Sequence, residues 1–154
     1  MKNDAIKGLY ILDSSTISLF KAILKPAGRK RKDGKSKGGM KMHTLLNADT
    51  NMPSFIKYTA SALHDQQFYK YIKELPDHSI IAFDKAYINY KQFDAFTSRD
   101  IYYVTRQKDN AEYTSIEEFD LPAEAAHILK DEKIEVTYKV EKEVFVQKMR
   151  RVAV

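Results

Sequence analysis

The 154-residue sequence contains no cysteine, which excludes disulfides and thiolate metal sites and leaves carboxylate, carbonyl or imidazole as the means of holding a metal. Oxygen ligands favour a hard cation. No apolar run approaches the ~18 residues of a membrane span, and the opening MKNDAIKG lacks the hydrophobic segment of a secretory signal. These absences predict a soluble, cytoplasmic protein with no membrane contact. The four histidines, His43, His64, His78 and His127, form no pair at i and i+4, which argues against zinc. Glycine is scarce, and four of the five residues (28, 34, 38 and 39) share one segment that does not join a strand to a helix as a phosphate-binding loop must. No G-x-S-x-G elbow surrounds Ser14 or Ser15, so these read as helix-start residues rather than nucleophiles.

The 44% hydrophobic and 12% aromatic content excludes a disordered chain, and the length suits one α/β or α+β domain with a real core. The net charge of +5 is unevenly spread. Between Arg29 and Lys41 seven basic residues stand against the single Asp33; this segment cannot pack a core and reads as a mobile basic loop suited to phosphates. Ile6 to Asp13 is the first strand, and Ile17, Phe20 and Leu24 have a short helical spacing stopped by Pro26. Met40 to Leu46 and Phe55 to Thr59 read as a hairpin, and 64–75 as a helix burying Phe68, Tyr71, Ile72 and Leu75, with Asp65 as its cap. Ser79 to Asp84 is a fourth strand, about 89–98 a helix, and Ile101 to Arg106 a fifth strand. This order implies a mixed sheet with helices packed on it. After Asn110 the charges become dense, and KIEVTYKV and EVFVQKMRRVAV read as two strands joined by a tight turn near Glu141.

Two apolar runs, YILD and SIIAFD, each end on an aspartate, a residue that strands disfavour and cores exclude unless paired. If the fourth strand lies parallel to the first through a right-handed crossover, Asp13 and Asp84 come side by side. Paired carboxylates there suit a hard divalent cation and metal-assisted phosphoryl transfer. The alternative is local: Asp13 caps the following helix and Asp84 opens a turn. In YYVTRQKDN, Tyr102 and Tyr103 stand beside Arg106 and Lys108, as at single-stranded nucleic-acid sites, although one of these tyrosines is expected in the core.

The stretches LDSSTISLFK, GGMKMHTLLN, SALHD, IIAFDKAYINYKQF and YYVTRQKDNA together resemble the DDE transposases of bacterial insertion sequences, of the insertion-sequence-four type, over about residues 8–112. The resemblance implies an α/β, RNase H-like mixed β-sheet flanked by helices, incomplete at the C-terminus. It divides the chain into a partial catalytic core over 1–110 and the start of a β-rich insertion over 111–154. It makes Asp13 and Asp84 the first two catalytic, metal-binding acids, for Mg²⁺ or Mn²⁺, and DNA the partner, as transposon ends and target. Arg29, Lys30, Arg31, Lys32, Lys35, Lys37, Lys41, Arg106 and Lys108 are the implied DNA-backbone contacts. Two departures stand out: Ala86 occupies a usual glycine position, and the motif Y-x2-R-x3-E-x6-K is matched only at Tyr103 and Arg106, with Asn110 at the glutamate position. The expectation is a truncated domain, inactive alone for want of the third acid, with some self-association through exposed apolar surface. A non-catalytic DNA-binding remnant or inhibitor of a full transposase is the rival reading, and a small nuclease using Glu112 or Glu117 a third.

Overall fold

The computed structural model describes residues 8–18, 39–61, 63–71, 75–122, 124 and 126–154. They divide into two compact units, 1–106 and 107–154. The described residues of the first unit form strands β1 (Leu9–Ser18), β2 (Gly39–Asn47), β3 (Met52–Ala60), β4 (Ile80–Phe83) and β5 (Tyr102–Thr105). These make one sheet in the order β3-β2-β1-β4-β5. β1 runs antiparallel to β2 and β2 to β3, whereas β1 with β4 and β4 with β5 are parallel. The expected α/β class with a mixed sheet is therefore what this unit has.

The first strand is longer than its sequence suggests. Residues 14–18, expected to begin a helix, continue β1 and pair with β2 as far as Ser18 opposite Gly39. Thr16 and Ile17 are β-branched and favour a strand, and the backbone partners offered by β2 outweigh a short helical spacing. Phe20 and Leu24 lie outside the described residues. The β2–β3 hairpin forms as expected: Asn47 Oδ1 accepts from the amides of Asp49 and Thr50 at 2.9 and 3.1 Å, and Asn51 takes a φ of 55° that asparagine tolerates. Leu45 pairs with Phe55 but Leu46 with Pro53, so β3 carries one extra residue as a bulge. Its proline is tolerated because β3 is an edge strand.

Strand alternation divides the sheet into two unlike faces. Tyr10, Leu12, Leu45, Ile81 and Phe83 are buried on one face, beneath a 3₁₀ segment (Asp65–Tyr71), a 3₁₀ turn (Lys85–Tyr87) and helix α1 (Tyr90–Thr97). The segment expected as an α-helix over 64–75 is thus a tighter 3₁₀ segment as far as Tyr71, and residues 72–74 lie outside the description. It buries the consecutive residues Phe68 and Tyr69, which a single α-helical stripe would not. Asn89 caps α1 through Gln92 N, and α1 sends Phe93 and Phe96 inward. Phe93 stacks on Tyr103 at 4.3 Å, and Tyr69 meets Phe83 and Phe96 edge-on. Tyr103 is thus the tyrosine of its pair that serves the core, while Tyr102 is 61% exposed. On the opposite face Leu9, Ile11, Ile56, Tyr58, Tyr102 and Val104 are exposed.

The second unit contains β6 (Thr114–Glu118), β7 (Lys130–Val140) and β8 (Glu143–Ala153), antiparallel in the order β6-β7-β8. The β7–β8 hairpin and its tight turn, with Glu141 at φ 56°, match the sequence reading. β6 does not appear in that reading because TSIEE has no apolar alternation and is exposed throughout. Among the described residues no helix is long and apolar enough to cross a membrane.

Candidate metal centre

Strand pairing brings the two aspartates together. Leu12 on β1 lies opposite Phe83 on β4 in parallel register, neighbouring strands being ~4.8 Å apart; one residue further along are Asp13, still in β1, and Asp84, just past the end of β4. Asp13 is exposed and sits inside β1, opposite Thr44, not at the strand's end. The helix that it could have capped is the continuation of the strand. Asp84, just past β4, does open a turn: Oδ1 accepts from the Ala86 amide at 3.0 Å and Oδ2 from Arg106 Nη2 at 2.7 Å. The Ala86 amide first, and then Arg106, hold the Asp84 carboxyl below the usual carboxylate range. Ala86 sits in this 3₁₀ turn and is not among the residues with positive φ, so its side chain adds no backbone strain where glycine was the expected residue.

Beneath the pair lies a buried polar line that the sequence did not reveal. Tyr87, three residues after Asp84, places its hydroxyl 2.7 Å from His43 Nδ1, and His43 Nε2 lies 2.8 Å from Thr59 Oγ1. A hydrogen bond from Ser14 also reaches the phenol, which burial pushes well above its ordinary pKa, aided by the charges of Asp65, Asp13 and Asp84. His43 is 0% exposed and stacks on Phe68 at 4.2 Å. Burial lowers its pKa, which favours the neutral imidazole. The available signal was weak: in MKMHTLL strand alternation puts His43 on the face of Leu45, but nothing local names its partner.

The expected DNA contacts divide by location. Arg29, Lys30, Arg31, Lys32, Lys35 and Lys37 lie outside the described residues. Lys41, on β2, has its ammonium engaged by Asp65 at 2.9 Å and by the Leu63 carbonyl at 3.3 Å, with the side chain 18% exposed. Arg106 follows β5 and is 78% exposed while pairing with Asp84. Lys108 belongs to the second unit. Among the described residues no group of three histidines or acids comes together to hold a metal. The donors available are the oxygens of Asp13 and Asp84, the latter held ionised, and they fit a hard divalent cation that keeps several of its waters.

The profile of the transposase DDE domain family matches residues 5–150. A Sinorhizobium fredii protein provisionally named transposase y4zB is 29% identical over 102 residues, which make up 66% of this chain and 27% of that protein. The matched stretch therefore spans about a quarter of the relative's length. With the match running nearly from end to end, and with the resemblance in sequence pointing the same way, this chain belongs to the transposase DDE domain family.

Proposed function

We propose that this chain carries part of the catalytic core of a metal-dependent DNA transposase, in which Asp13 and Asp84 hold a divalent cation. The parallel pairing of β1 with β4 carries the reading, because the acids each follow its last pair, Leu12 with Phe83, by one residue. Family membership supports DNA, as transposon ends and target, and a divalent ion, for which Mg²⁺ or Mn²⁺ suits the oxygen donors. The sheet order, antiparallel on one side of β1 and parallel on the other, supports an RNase H-like arrangement. Bound at the pair, the ion would supply Lewis-acid activation of phosphoryl transfer. The protein's own part is to keep Asp84 ionised and to offer the exposed Arg106 guanidinium beside it to a phosphate. Arg29, Lys30, Arg31, Lys32, Lys35, Lys37 and Lys108 add backbone affinity, whereas Lys41 in its observed pairing serves the fold. The setting is the cytoplasm.

Two carboxylates hold one cation, and keeping a second in register takes another acid. The chain alone therefore does not cleave or join DNA at a useful rate. The test combines Mn²⁺ titration, followed by the EPR signal of the free ion, with DNA binding at several salt concentrations. One Mn²⁺ should bind, and Asp13→Asn and Asp84→Asn should each abolish it. Alanine at Arg29, Lys30, Arg31 and Lys32 should flatten the salt dependence by about 0.9 for each lost phosphate contact. Mn²⁺ binding indifferent to both aspartate substitutions sinks the metal reading and leaves a non-catalytic DNA-binding role.

A further inference from the structure

We infer that Tyr87 and His43 are positioning residues, whose hydrogen-bonded line through Ser14 and Thr59 holds the backbone around Asp13 and Asp84 in the register that one cation needs. The inference rests on the metal reading above and goes beyond it, since neither side chain is a metal ligand there.

Tyr87 is tied to Asp84 through the backbone. Asp84 caps the 3₁₀ turn that contains Tyr87, and the Tyr87 amide donates to the Asp84 carbonyl at 2.9 Å. Ser14 directly follows Asp13, and its hydrogen bond to the Tyr87 phenol links the other acid's strand to the same ring. His43 lies opposite Ser14 in the β1–β2 pairing and carries the line on to Thr59 of β3 at 2.8 Å. One chain of side chains thus spans β1, β2, β3 and the turn after β4 at the position of the two carboxylates. Sliding Asp84 along β1 would pull the phenol away from both Ser14 and His43.

Two proton directions satisfy the line with a neutral imidazole. In one, Ser14 donates to the phenol oxygen, Tyr87 to His43 Nδ1, and Nε2–H to Thr59 Oγ1; in the other, Thr59 donates to Nε2, Nδ1–H to the phenol oxygen, and the phenol to Ser14. The phenol keeps its proton and adds no negative charge beside two carboxylates. A fully buried imidazole costs stability unless both nitrogens are bonded, and apolar side chains could fill the space between Phe68 and Tyr87 without that demand. What the polar line adds is directional constraint, which a satisfied buried network imposes and an apolar contact does not.

The experiment measures Mn²⁺ affinity of the folded chain, well below each variant's melting temperature. Tyr87→Phe, which keeps the ring and removes the hydroxyl, should weaken Mn²⁺ binding about 10-fold, in the range found when groups behind metal ligands are removed. Thr59→Val should weaken it in the same direction and Thr59→Ser should restore it. Phe96→Leu loosens the same aromatic layer at a ring that meets Tyr69 and Tyr103 rather than the line and should leave the affinity unchanged. If the aspartate variants lose Mn²⁺ while Tyr87→Phe and Thr59→Val bind it as the wild type does, the line is only structural: the inference falls and the metal reading stands. If the aspartate variants bind normally, the metal reading falls and takes the inference with it. Should Tyr87→Phe not fold, the contrast between Thr59→Val and Thr59→Ser decides.

Discussion

Toward the proposed cation at Asp84, Arg106 would act in two opposite ways. Its guanidinium stabilises the ionised carboxylate, yet it occupies Oδ2 at 2.7 Å, where an incoming ion would bind. The pair is exposed, so it is worth up to about 1 kcal/mol, and removing the competing positive charge should favour the ion by at most about that much. Arg106→Ala is accordingly expected to tighten Mn²⁺ binding up to about 5-fold while weakening DNA binding, both measurable by titration calorimetry. Weaker Mn²⁺ binding in this variant would show that Arg106 orients Asp84 rather than competing for it. Asp13 and Asp84 could be picked out from sequence because an acid closing an apolar run is conspicuous. His43 and Tyr87 could not, because they are 44 positions apart and meet only through the pairing of strands.

The β7–β8 hairpin was readable from its alternation, but the same alternation that buries Ile134 and Val136 also buries Glu132 at 0% exposure. This acid is matched by Arg151 at 2.7 Å and Lys130 at 2.9 Å. Hydrogen bonds from Ser115, then Lys130 and Arg151, hold its pKa down from an ordinary 4.5 to about 2. A folded-state pKa below the unfolded one gives stabilisation that is full above pH 4.5 and is lost as the pH falls towards about 2. The second unit should therefore lose stability across that window, with Glu132→Gln flattening the dependence. Backbone NMR signals of β7 and β8 followed during acidification provide the check; an unchanged acid profile in the variant would remove Glu132 as the cause. In β1 the same contest between local spacing and pairing ran the other way: the helical spacing was legible, and the offer of ladder partners from β2 overrode it.

The first unit's sheet is covered on one side by an aromatic layer and carries an exposed set of Leu9, Ile11, Ile56, Tyr58, Tyr102 and Val104 on the other. Contiguous apolar surface of this kind favours association. Self-association at high concentration is the expected behaviour, and Ile56→Lys with Val104→Lys should suppress it. Exposed positions cost little stability when changed, so sedimentation velocity of the variant reports the surface rather than the fold. Association undiminished by both lysines would exclude this face as its cause.

Composition and periodicity were enough to establish an α/β chain without thiolate chemistry, its hairpins, helix α1, strands β4 and β5 and the two acids that end their apolar runs. These properties are local, because each rests on side-chain spacing within a few residues or on one residue's cost of burial. The length of β1, the polar strand β6, the 3₁₀ form of the segment after Asp65, the pairing of Arg106 with Asp84 and the line from Ser14 through Tyr87 and His43 to Thr59 came only with the tertiary structure. Each depends on a partner supplied by a distant stretch of chain: a ladder neighbour, an opposite charge or a hydroxyl at hydrogen-bonding distance. The free energy of such a contact exists only once the backbone has brought its two ends together.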